Sequence, residues 1–341
     1  MMSLPTRTLG TSGLEITTVG FGSWAVGGGG WSFGWGPQDD DLSIAAIGRA
    51  VDLGVNWIDT AAIYGLGHSE EVVGRAVRAL PAAARPLIFT KCGLEWNAAD
   101  PMGAVRRIFT PHTVRHGIEG SLRRLGLDSV DLFQIHWPDD QGNPAEEAWA
   151  EMVKLREEGK ARAIGVSNFD PDLLAGCEAV GHIDSLQPPF SLIDRGTAAE
   201  LLPWARAHST GVLCYSPMAS GILTDSFSAA RVAAMADDDW RRRPPSFNEP
   251  ELGRNLSLRD ALRSIAARHG AAVAAVAVAW VIAWPGVTGA IVGARAPEQV
   301  DGWIDGASLE LTEEDLDEIA EAVRATEAGE GPADPRRSYS E

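Results

Sequence analysis

Four residues in the first half of the chain are of types that transfer protons when they lie together. Asp59, Tyr64, Lys91 and His136 stand at, or shortly after, the ends of three short apolar runs. If these runs form parallel strands of one barrel, their carboxyl ends open on a shared pocket. A carboxylate, a phenol, an amine and an imidazole would then meet, and this combination predicts acid–base catalysis.

The chemistry of this set depends on the pKa of Tyr64. A free tyrosine has a pKa of about 10 and is a poor acid–base group at neutral pH. An ammonium on Lys91 favours the phenolate and is expected to lower that pKa, while an ion pair with Asp59 would keep Lys91 charged. Neutral His136 would donate a hydrogen bond to a substrate carbonyl oxygen. Each residue alone also has a structural explanation: a turn cap, a packed loop residue, a surface charge and a buried histidine.

The segments that would position these residues alternate between strand and helix patterns. Eight apolar runs have the length of strands: 18–22, 56–59, 87–91, 132–136, 163–167, 185–187, 212–215 and 290–293. Longer amphipathic segments lie between them: 41–52, 69–80, 110–125, 144–158, 171–179, 198–208 and 258–269. Two long loops, 27–36 and 225–251, interrupt this alternation, and we interpret both as substrate contacts or a lid.

Eight strands that alternate with helices favour an α/β fold, a closed (β/α)8 TIM barrel, over an open sheet. The turn cluster Thr11-Ser12-Gly13 between two short alternating runs predicts an N-terminal β-hairpin. A chain of 341 residues fits one barrel domain, which we place at 1–327. The remainder, 328–341, is rich in glycine, proline and charge, and this composition predicts a disordered tail.

Composition disfavours several other classes of protein. The formal net charge of −18 argues against nucleic acid and anionic membranes as partners. The most apolar stretch, 271–284, is too short to span a bilayer and predicts a buried helix. No export signal is recognisable, so we expect a cytoplasmic protein. The three cysteines match no paired spacing of metal ligands, and no metal site is predicted.

Three motifs resemble those of the aldo-keto reductases. They are NWIDTAAIYG at 56–65, GVSNF at 165–169 and YSPMASG at 215–221, and the likeness extends from the hairpin to about Ala322. The resemblance implies a nicotinamide cofactor that lies extended over the barrel mouth, and no G-x-G-x-x-G motif of a Rossmann domain follows a strand and opens a helix. It also places the catalytic Asp, Tyr, Lys and His of that family on the four residues named above.

The resemblance further implies a set of cofactor contacts. Around the nicotinamide these are Gly22, Ser23, Trp24 and Asp59, with Ser167, Asn168 and Gln187 on the carboxamide and Tyr215 stacked on the ring. Small residues allow close approach of the pyrophosphate, and those implied there are Ser216, Pro217, Met218, Ser220 and Gly221. The structural alternatives are a turn before a helix at Ser167 and Asn168, strand core at Tyr215, and a plain loop along the pyrophosphate.

At the adenosine end the implied contacts are Gly293, Arg295 and Gln299. A guanidinium binds phosphate through paired hydrogen bonds, so Arg295 favours NADP(H) over NAD(H), with a surface ion pair as the alternative. Many members of the family have an acidic residue and an asparagine near the adenine, whereas this chain has Gly302 and Trp303. Adenine recognition is therefore expected to differ, with stacking on Trp303 as one form it could take.

The predicted substrate contacts are mostly aromatic: Trp24, Tyr64, Trp96, His136 and Trp137. Such a pocket suits an apolar or aromatic aldehyde or ketone, although sugar-like substrates also stack on tryptophan. We therefore predict NADP(H)-dependent reduction of a small-molecule carbonyl, with Tyr64 as the proton donor. Two alternatives remain open: a Schiff-base aldolase acting through Lys91, and a non-catalytic NADP(H)-sensing subunit.

Overall fold

Eight parallel strands close into a barrel in the computed structural model, which describes residues 4–337. In chain order they are β1 (Val19–Gly22), β2 (Trp57–Asp59), β3 (Leu87–Cys92), β4 (Val130–Ile135), β5 (Ala161–Ser167), β6 (Ser185–Gln187), β7 (Gly211–Tyr215) and β8 (Val287–Gly293). Each strand pairs with the next, and β8 pairs with β1 to close the barrel. The predicted (β/α)8 barrel and its eight strands are confirmed, with differences only at strand ends.

Successive strand side chains point alternately into the barrel and out toward the helices. Trp57 and Phe89 belong to a buried cluster inside the barrel, and their ring centroids lie 5.1 Å apart. Ile58, the next residue on β2, belongs instead to the larger cluster between strands and helices. Gly20 on β1 is required beside Trp57, because a Cβ at that position would overlap the indole ring.

The N-terminal hairpin lies across the end of the barrel opposite the predicted site. Its strands, Thr6–Thr8 and Glu15–Thr17, pair in antiparallel fashion, as the sequence predicted. Three apolar hairpin residues join the interior cluster: Leu9, Leu14 and Ile16. The carbonyl of Thr17 accepts a hydrogen bond from Trp57 Nε1 at 2.8 Å, which ties the hairpin to β2.

Helices surround the barrel at all the predicted positions. The longer ones are Asp40–Asp52, His68–Ala79, Pro111–Leu125, Ala145–Glu157, Pro171–Val180, Leu201–His208, Glu251–His269, Val273–Ile282 and Glu313–Thr326. Sequence signals set several of their ends: Thr110 caps the helix that begins with Pro111, and Gly126 ends it in a left-handed conformation. The helix Glu313–Thr326 was not predicted, although Thr312 begins it with a capping box.

The apolar stretch 271–284 forms the helix Val273–Ile282, all of whose residues are buried, as predicted. Among residues 4–337, no single helix is both long and apolar enough to cross a membrane. Taken together, Glu251–His269 and Val273–Ile282 pass on length and composition, but the pair is bent by 92°.

The chain after Glu327 packs on the barrel, so the prediction of a disordered tail is wrong for 328–337; the rest of that segment, 338–341, lies outside the described residues. Ala328 is buried, and its carbonyl accepts a hydrogen bond from the guanidinium of Arg195 at 2.9 Å. Arg195 Nε donates to the carbonyl of Gly331 at 3.0 Å. Composition did not reveal this, because the tail contacts a distant loop around Arg195 and the last helix, where Arg336 pairs with Asp317.

Candidate active site

The four predicted catalytic residues meet at the carboxyl end of the barrel. Asp59 ends β2, Tyr64 lies in the turn that follows, Lys91 lies near the end of β3, and His136 follows β4. A cavity of about 890 Å³ opens at this end, and Asp59, Tyr64 and His136 line it. Lys91 lies beneath them, 1% exposed.

All three ammonium protons of Lys91 have acceptors. Nζ forms a buried ion pair with the carboxylate of Asp59, donates to the carbonyl of Thr60 at 2.9 Å, and donates to the phenolic oxygen of Tyr64 at 3.4 Å. The side chains of the ion pair are 0% and 3% exposed. The positive charge is thus fixed next to the phenol by groups that leave the amine no freedom to reorient.

The pKa of Tyr64 moves in the direction opposite to the predicted one. Burial raises the pKa of this phenol well above its ordinary value, and the negative charge of Asp59 raises it further. The predicted lowering by Lys91 is wrong because Asp59 offsets the ammonium charge and because burial disfavours any phenolate. Tyr64 is therefore protonated at neutral pH, and the nearby ammonium is placed to stabilise the phenolate once the proton has left.

His136 is held in its neutral form. Burial lowers the pKa of its imidazole well below the usual value, and the positive charges of Lys91 and Arg107 lower it further. The ring centroids of His136 and Tyr64 lie 5.6 Å apart, with the planes at 82°. A neutral imidazole and a protonated phenol so arranged can both donate hydrogen bonds to one oxygen atom between them.

Two glutamines inside the barrel fix the second carboxylate oxygen of Asp59. Gln187 Nε2 donates to Asp59 Oδ2 at 2.9 Å and to Gln134 Oε1 at 3.2 Å. Gln134 Nε2 lies 3.5 Å from the same Asp59 oxygen. Within residues 4–337, nothing donates to Gln187 Oε1, so this oxygen remains an acceptor for a ligand in the cavity that Gln187 lines. Gln134 was missed, although a polar residue at an inward position of β4 was the available signal.

Ser167, Asn168 and Tyr215 form one hydrogen-bonded group beside these amides. Asn168 Nδ2 donates to Ser167 Oγ at 3.0 Å and to the carbonyl of His136 at 2.9 Å, and its Oδ1 accepts from the Tyr215 hydroxyl at 2.8 Å. Asn168 has a φ of 63°, a left-handed conformation that asparagine adopts more readily than most residues. Ser167 and Tyr215 line the cavity, but Asn168 does not. Asn168 therefore orients its neighbours in this structure, whereas a direct cofactor contact was predicted.

The other predicted cofactor residues form a continuous lining along the cavity: Gly22, Ser23, Trp24, Ser216, Pro217, Met218, Ser220, Gly221, Gly293, Arg295 and Gln299. Ser216 and Ser220 have positive φ values of 57° and 53°, which turn the backbone sharply at this wall. Ser69, which was not predicted, fixes Ser23, because its hydroxyl lies 2.9 Å from both the carbonyl and the hydroxyl oxygen of that residue.

Arg295 lies at one end of this lining, and its guanidinium has protein partners. Nε donates to Gln38 Oε1 at 2.6 Å, Nη1 donates to the carbonyl of Trp35 at 3.2 Å, and Nη2 donates to the carbonyl of Pro37. Burial, and next the positive charge of Arg241, lower the pKa of Arg295. Within the described part of the chain Arg295 forms no ion pair, so a phosphate would compete here with neutral acceptors only.

A second guanidinium that the sequence did not indicate lies in the same part of the cavity. Arg231 lines it, is near enough to lower the pKa of Arg295, and has its Cζ 6.0 Å from the ring centroid of Phe227. No carboxylate among residues 4–337 pairs with Arg231, whereas Arg241 pairs with Asp239 at 2.6 Å. This end of the cavity is thus positively charged in a chain whose net charge is −18.

Trp303 and Gly302 also line the cavity, but the structure does not support stacking of Trp303 on adenine. The indole of Trp303 is 1% exposed, because the core covers its ring faces. Its Nε1 finds no hydrogen-bond partner among the described residues.

Four aromatic residues from the loops form a cover over the cavity, called the aromatic cover below: Trp24, Phe33, Trp35 and Trp240. Trp24 lies between Tyr64 and Trp240, with ring centroids 6.0 Å and 4.8 Å away and the planes inclined by 20° and 21°. Trp35 meets Trp24 edge-on at 5.3 Å. The phenol of Tyr64 therefore lies under a stack of indole rings.

Hydrogen bonds join the two long loops that carry this cover. Trp240 N donates to the carbonyl of Gly34 at 3.1 Å, and Gly30 N donates to Asp238 Oδ2 at 3.1 Å. Arg243 Nη2 donates to the carbonyl of Ser32. Loops 27–36 and 225–251 therefore meet above the cavity, as a lid would require.

Of the predicted substrate tryptophans, Trp24 and Trp137 line the cavity and Trp96 does not. Trp96 packs instead against a small apolar cluster that contains Trp31 and Ile63, two residues that themselves line the cavity. The prediction of a substrate contact at Trp96 is therefore not supported, although Leu94, on the short hairpin that precedes it, does line the cavity.

Comparison with known proteins gives one consistent result. The model of the aldo/keto reductase family matches residues 18–324. The aldo-keto reductase YhdN of Bacillus subtilis is 34% identical over 91% of each chain. The NADH-specific methylglyoxal reductase of Escherichia coli is 31% identical over 92% of this chain and 98% of its own length. A glycerol dehydrogenase structure from Gluconobacter oxydans superposes with a TM-score of 0.85 at 37% identity, covering 97% of this chain and 98% of that one.

Proposed function

Because this chain belongs to the aldo/keto reductase family, we propose that it reduces an aldehyde or ketone to an alcohol with NADP(H), and that Tyr64 is the proton donor. One observation carries the proposal: the ammonium of Lys91 lies 3.4 Å from the phenolic oxygen of a protonated Tyr64, beside neutral His136. The partner is a small carbonyl compound, and the cell compartment that we propose is the cytoplasm.

The roles of the residues follow from their contacts. A bound nicotinamide cofactor supplies the hydride that adds to the carbonyl carbon. Tyr64 and His136 hold the carbonyl oxygen, and Tyr64 gives it the phenolic proton as negative charge develops there. Lys91 stabilises the resulting phenolate, while Asp59 keeps Lys91 charged and oriented. One hydride and one proton thus convert a carbonyl to an alcohol, and the reverse reaction oxidises an alcohol.

The residues of the cavity fit such a cofactor. Tyr215 is fixed through its hydroxyl and lines the wall, where it offers a flat surface to a nicotinamide ring. Gln187 Oε1 is free to accept a hydrogen bond from the carboxamide. At the other end of the cavity, Arg231 lacks a carboxylate partner in the described chain and lies near Arg295, which suits an anionic phosphate.

The guanidinium groups at this end support NADP(H) as the cofactor, although one relative is named as NADH-specific. Titration of both reduced cofactors, followed by tryptophan fluorescence, compares them directly. We expect Arg231→Gln and Arg295→Gln each to weaken NADPH binding by about tenfold or more while changing NADH binding less, because only NADPH carries the 2′-phosphate. Equal affinities for the two cofactors in the parent protein would contradict the choice of NADP(H).

The Schiff-base alternative meets two obstacles in the contacts of Lys91. A nucleophilic amine must be neutral and must reach the carbonyl carbon. Here Nζ is in a buried ion pair with Asp59, and its remaining protons go to Thr60 and Tyr64. No observation favours the aldolase over the reductase.

The decisive experiment uses Tyr64→Phe, which removes one hydroxyl and keeps the ring. We expect carbonyl-dependent oxidation of NADPH to fall about 100- to 10,000-fold, the range of general acid catalysis, while NADPH affinity stays within about twofold. Retained turnover would remove Tyr64 from the role of proton donor. If the parent protein binds NADPH but no member of a broad panel of aldehydes and ketones is reduced, the sensing subunit replaces the reductase.

A further inference from the structure

Arg107 is a cation on the substrate side of the cavity that the proposed chemistry does not use. It lies on a short hairpin, Leu94–Glu95 with Arg106–Arg107, and lines the cavity together with His136 and Trp137. Its Cζ lies 4.3 Å from the ring centroid of Trp137, so the guanidinium rests on the indole face. Trp137 directly follows His136 in the chain, which places the cation beside the group that is proposed to hold the carbonyl oxygen.

The guanidinium of Arg107 lacks a hydrogen-bonding partner in the part of the chain that the structure describes: between residues 4 and 337, no carboxylate or carbonyl oxygen accepts from it. Its neighbour Arg106 differs, because Arg106 Nη2 pairs with Glu95 at 3.2 Å on the outer side of the hairpin. Asp139, the acidic residue nearest to Trp137 in sequence, is occupied by Phe109 N and Asn143. An arginine that is held in place but has no acceptor leaves all its donors available to a ligand.

The other cavity cations lie elsewhere or are already engaged. Arg231 and Arg295 belong to the opposite end, where the positive charge of Arg231 lowers the pKa of Arg295. Arg241 is paired with Asp239, and Arg243 is bound to the carbonyl of Ser32. Arg107 is therefore the cation that a substrate held by His136 would meet.

We propose that Arg107 is a specificity-determining residue that binds a carboxylate of the substrate. The carbonyl compounds that the protein reduces best are then oxo acids, for example an aldehyde with a carboxylate a few bonds from its carbonyl group. The inference rests on the proposed reductase activity. A guanidinium pairs with a carboxylate through two parallel hydrogen bonds. Contact with the Trp137 ring, 4.3 Å from Cζ, keeps water from that side of the guanidinium, which strengthens such a pair.

The reaction balances without any further reactant. A bound reduced nicotinamide would supply the hydride for the carbonyl carbon, and Tyr64 would donate the proton to the carbonyl oxygen. The product is the hydroxy acid, and the carboxylate on Arg107 forms and breaks no covalent bond. Its binding orients the carbonyl toward Tyr64 and His136, which lowers KM and favours the reactive geometry.

The test compares two aldehydes of equal chain length, 4-oxobutanoate and butanal, in the parent protein and in Arg107→Gln. We expect the parent kcat/KM for 4-oxobutanoate to exceed that for butanal by at least about tenfold, and Arg107→Gln to reduce this ratio about 10- to 100-fold, mainly through KM. Raised ionic strength should weaken the preference in the parent protein. Arg107→Lys, which keeps the charge but loses the paired geometry, should retain part of it.

Arg106→Gln is the matched control, since it removes a neighbouring charge of the same hairpin that faces away from the cavity. We expect the same ratio of kcat/KM values in this variant as in the parent. Circular dichroism and thermal unfolding of all three variants show whether the hairpin is intact. A preference that survives Arg107→Gln, or that is lost equally in Arg106→Gln, would overturn the proposal.

A second measurement separates this inference from the proposed function. Succinate is inert to reduction, and its binding to the protein loaded with NADPH can be followed by tryptophan fluorescence, because Trp137 adjoins the guanidinium. We expect succinate to bind to the parent and to Arg106→Gln, and at least about tenfold more weakly to Arg107→Gln. If neither aldehyde is reduced but succinate binding still depends on Arg107, the reductase fails while the carboxylate site stands. Succinate binding that is equal in all variants removes the site.

Discussion

The indole of Trp24 stacks on that of Trp240 with 4.8 Å between ring centroids, and this contact joins the turn after β1 to loop 225–251 over the cavity. Trp24 also faces the ring of Tyr64 at 6.0 Å, so the same stack reaches the proposed proton donor. A substrate bound to Tyr64 must therefore pass, or displace, part of the aromatic cover. The cover controls both access and the apolar contact area available to a substrate.

Replacing Trp240 should widen the entrance and weaken the binding of small substrates. In Trp240→Ala we expect kcat/KM for a small aldehyde to fall about 10-fold relative to the parent, because Trp24 loses its stacking partner and water enters the cavity. The loss should be smaller for bulky aromatic aldehydes, which can fill the vacated volume. Steady-state kinetics with one aldehyde of each kind measures the change in preference.

Trp204→Ala is a suitable control, because that indole stacks on His208 in an outer helix, outside the cavity lining. The variant should keep the parent's preference between small and bulky aldehydes. If Trp240→Ala also keeps it, the cover plays no part in substrate selection.

The ion pair between Lys91 and Asp59 should contribute to both stability and catalysis, and a double variant separates the two. Lys91→Met leaves a buried carboxylate without its partner, so we expect a loss of about 3–5 kcal/mol in the free energy of unfolding and a fall in turnover of at least about 100-fold. Adding Asp59→Asn removes the uncompensated charge and should restore about half or more of the lost stability. Turnover should stay lost, because the phenolate of Tyr64 has no ammonium to stabilise it.

Denaturant unfolding and turnover assays on the same preparations provide the two measurements. Recovery of activity together with stability in the double variant would show that Lys91 acts only by holding the fold. Arg324, whose ion pair with Glu321 has side chains that are 63% and 70% exposed, offers a control through Arg324→Met, which should lower stability far less and leave turnover intact.

The position of the four proposed catalytic residues could be predicted because strand ends can be recognised from apolar runs, and a barrel gathers strand ends at one place. Asp59 and Lys91 lie where their runs stop, and the structure brings them into contact. The direction of the pKa shift of Tyr64 could not be predicted in the same way. It depends on burial under the aromatic cover and on the charge of Asp59, and neither follows from spacing along the chain.

The residues that the sequence did not reveal lie mostly on loops, whose conformation short-range patterns do not determine. Arg107 and Arg231 look like ordinary surface charges until the fold places them in the cavity without an acidic partner among the described residues. Arg295 was recognised, but its contact with Gln38 joins residues that are far apart in sequence. The burial of Trp303 likewise depends on packing between a loop and the core.

The pH dependence of carbonyl reduction should be flat around neutrality. The pKa of Tyr64 is raised by burial, so the proton donor keeps its proton well into the alkaline range. The pKa of His136 is lowered by burial and by nearby positive charge, so the imidazole is already neutral at neutral pH. We expect kcat/KM to change by less than about twofold between about pH 6.5 and pH 8.5, because neither group titrates there.

At higher pH the first loss should come from Lys91, since burial lowers the pKa of its ammonium against the opposing effect of Asp59. The alkaline decline should therefore appear below the pH at which Tyr64 ionises. A profile measured at constant ionic strength tests both statements. A tenfold change per pH unit centred near neutrality would contradict the protonation states assigned to Tyr64 and His136.

Asp315 should make the stability of the barrel depend on acid pH. Its side chain is 0% exposed, and although burial opposes ionisation, hydrogen bonds from His269, Thr312 and Arg268 hold the pKa of this carboxyl well below its ordinary value of about 3.9. A pKa that is lower in the folded state means that the carboxylate contributes its full stability above about pH 4 and loses it as the pH falls toward the folded value.

We therefore expect Asp315→Asn to lower the free energy of unfolding by about 2–3 kcal/mol at pH 7, since it removes a buried charge from its partners. The difference from the parent should shrink as the pH falls below about 4, because the parent carboxyl is then protonated and no longer stabilises the folded state as an ion.

Urea unfolding at a series of pH values measures the size of this loss and its pH dependence, with Asp317→Asn as the control. Asp317 lies in the same helix as Asp315 and pairs with Arg336 of the C-terminal segment, but it is 66% exposed, so this variant should cost less than about 1 kcal/mol at any pH. A cost for Asp315→Asn that is equally large at pH 3 and pH 7 would mean that packing at the start of the helix, and not the ionised carboxyl, stabilises this region.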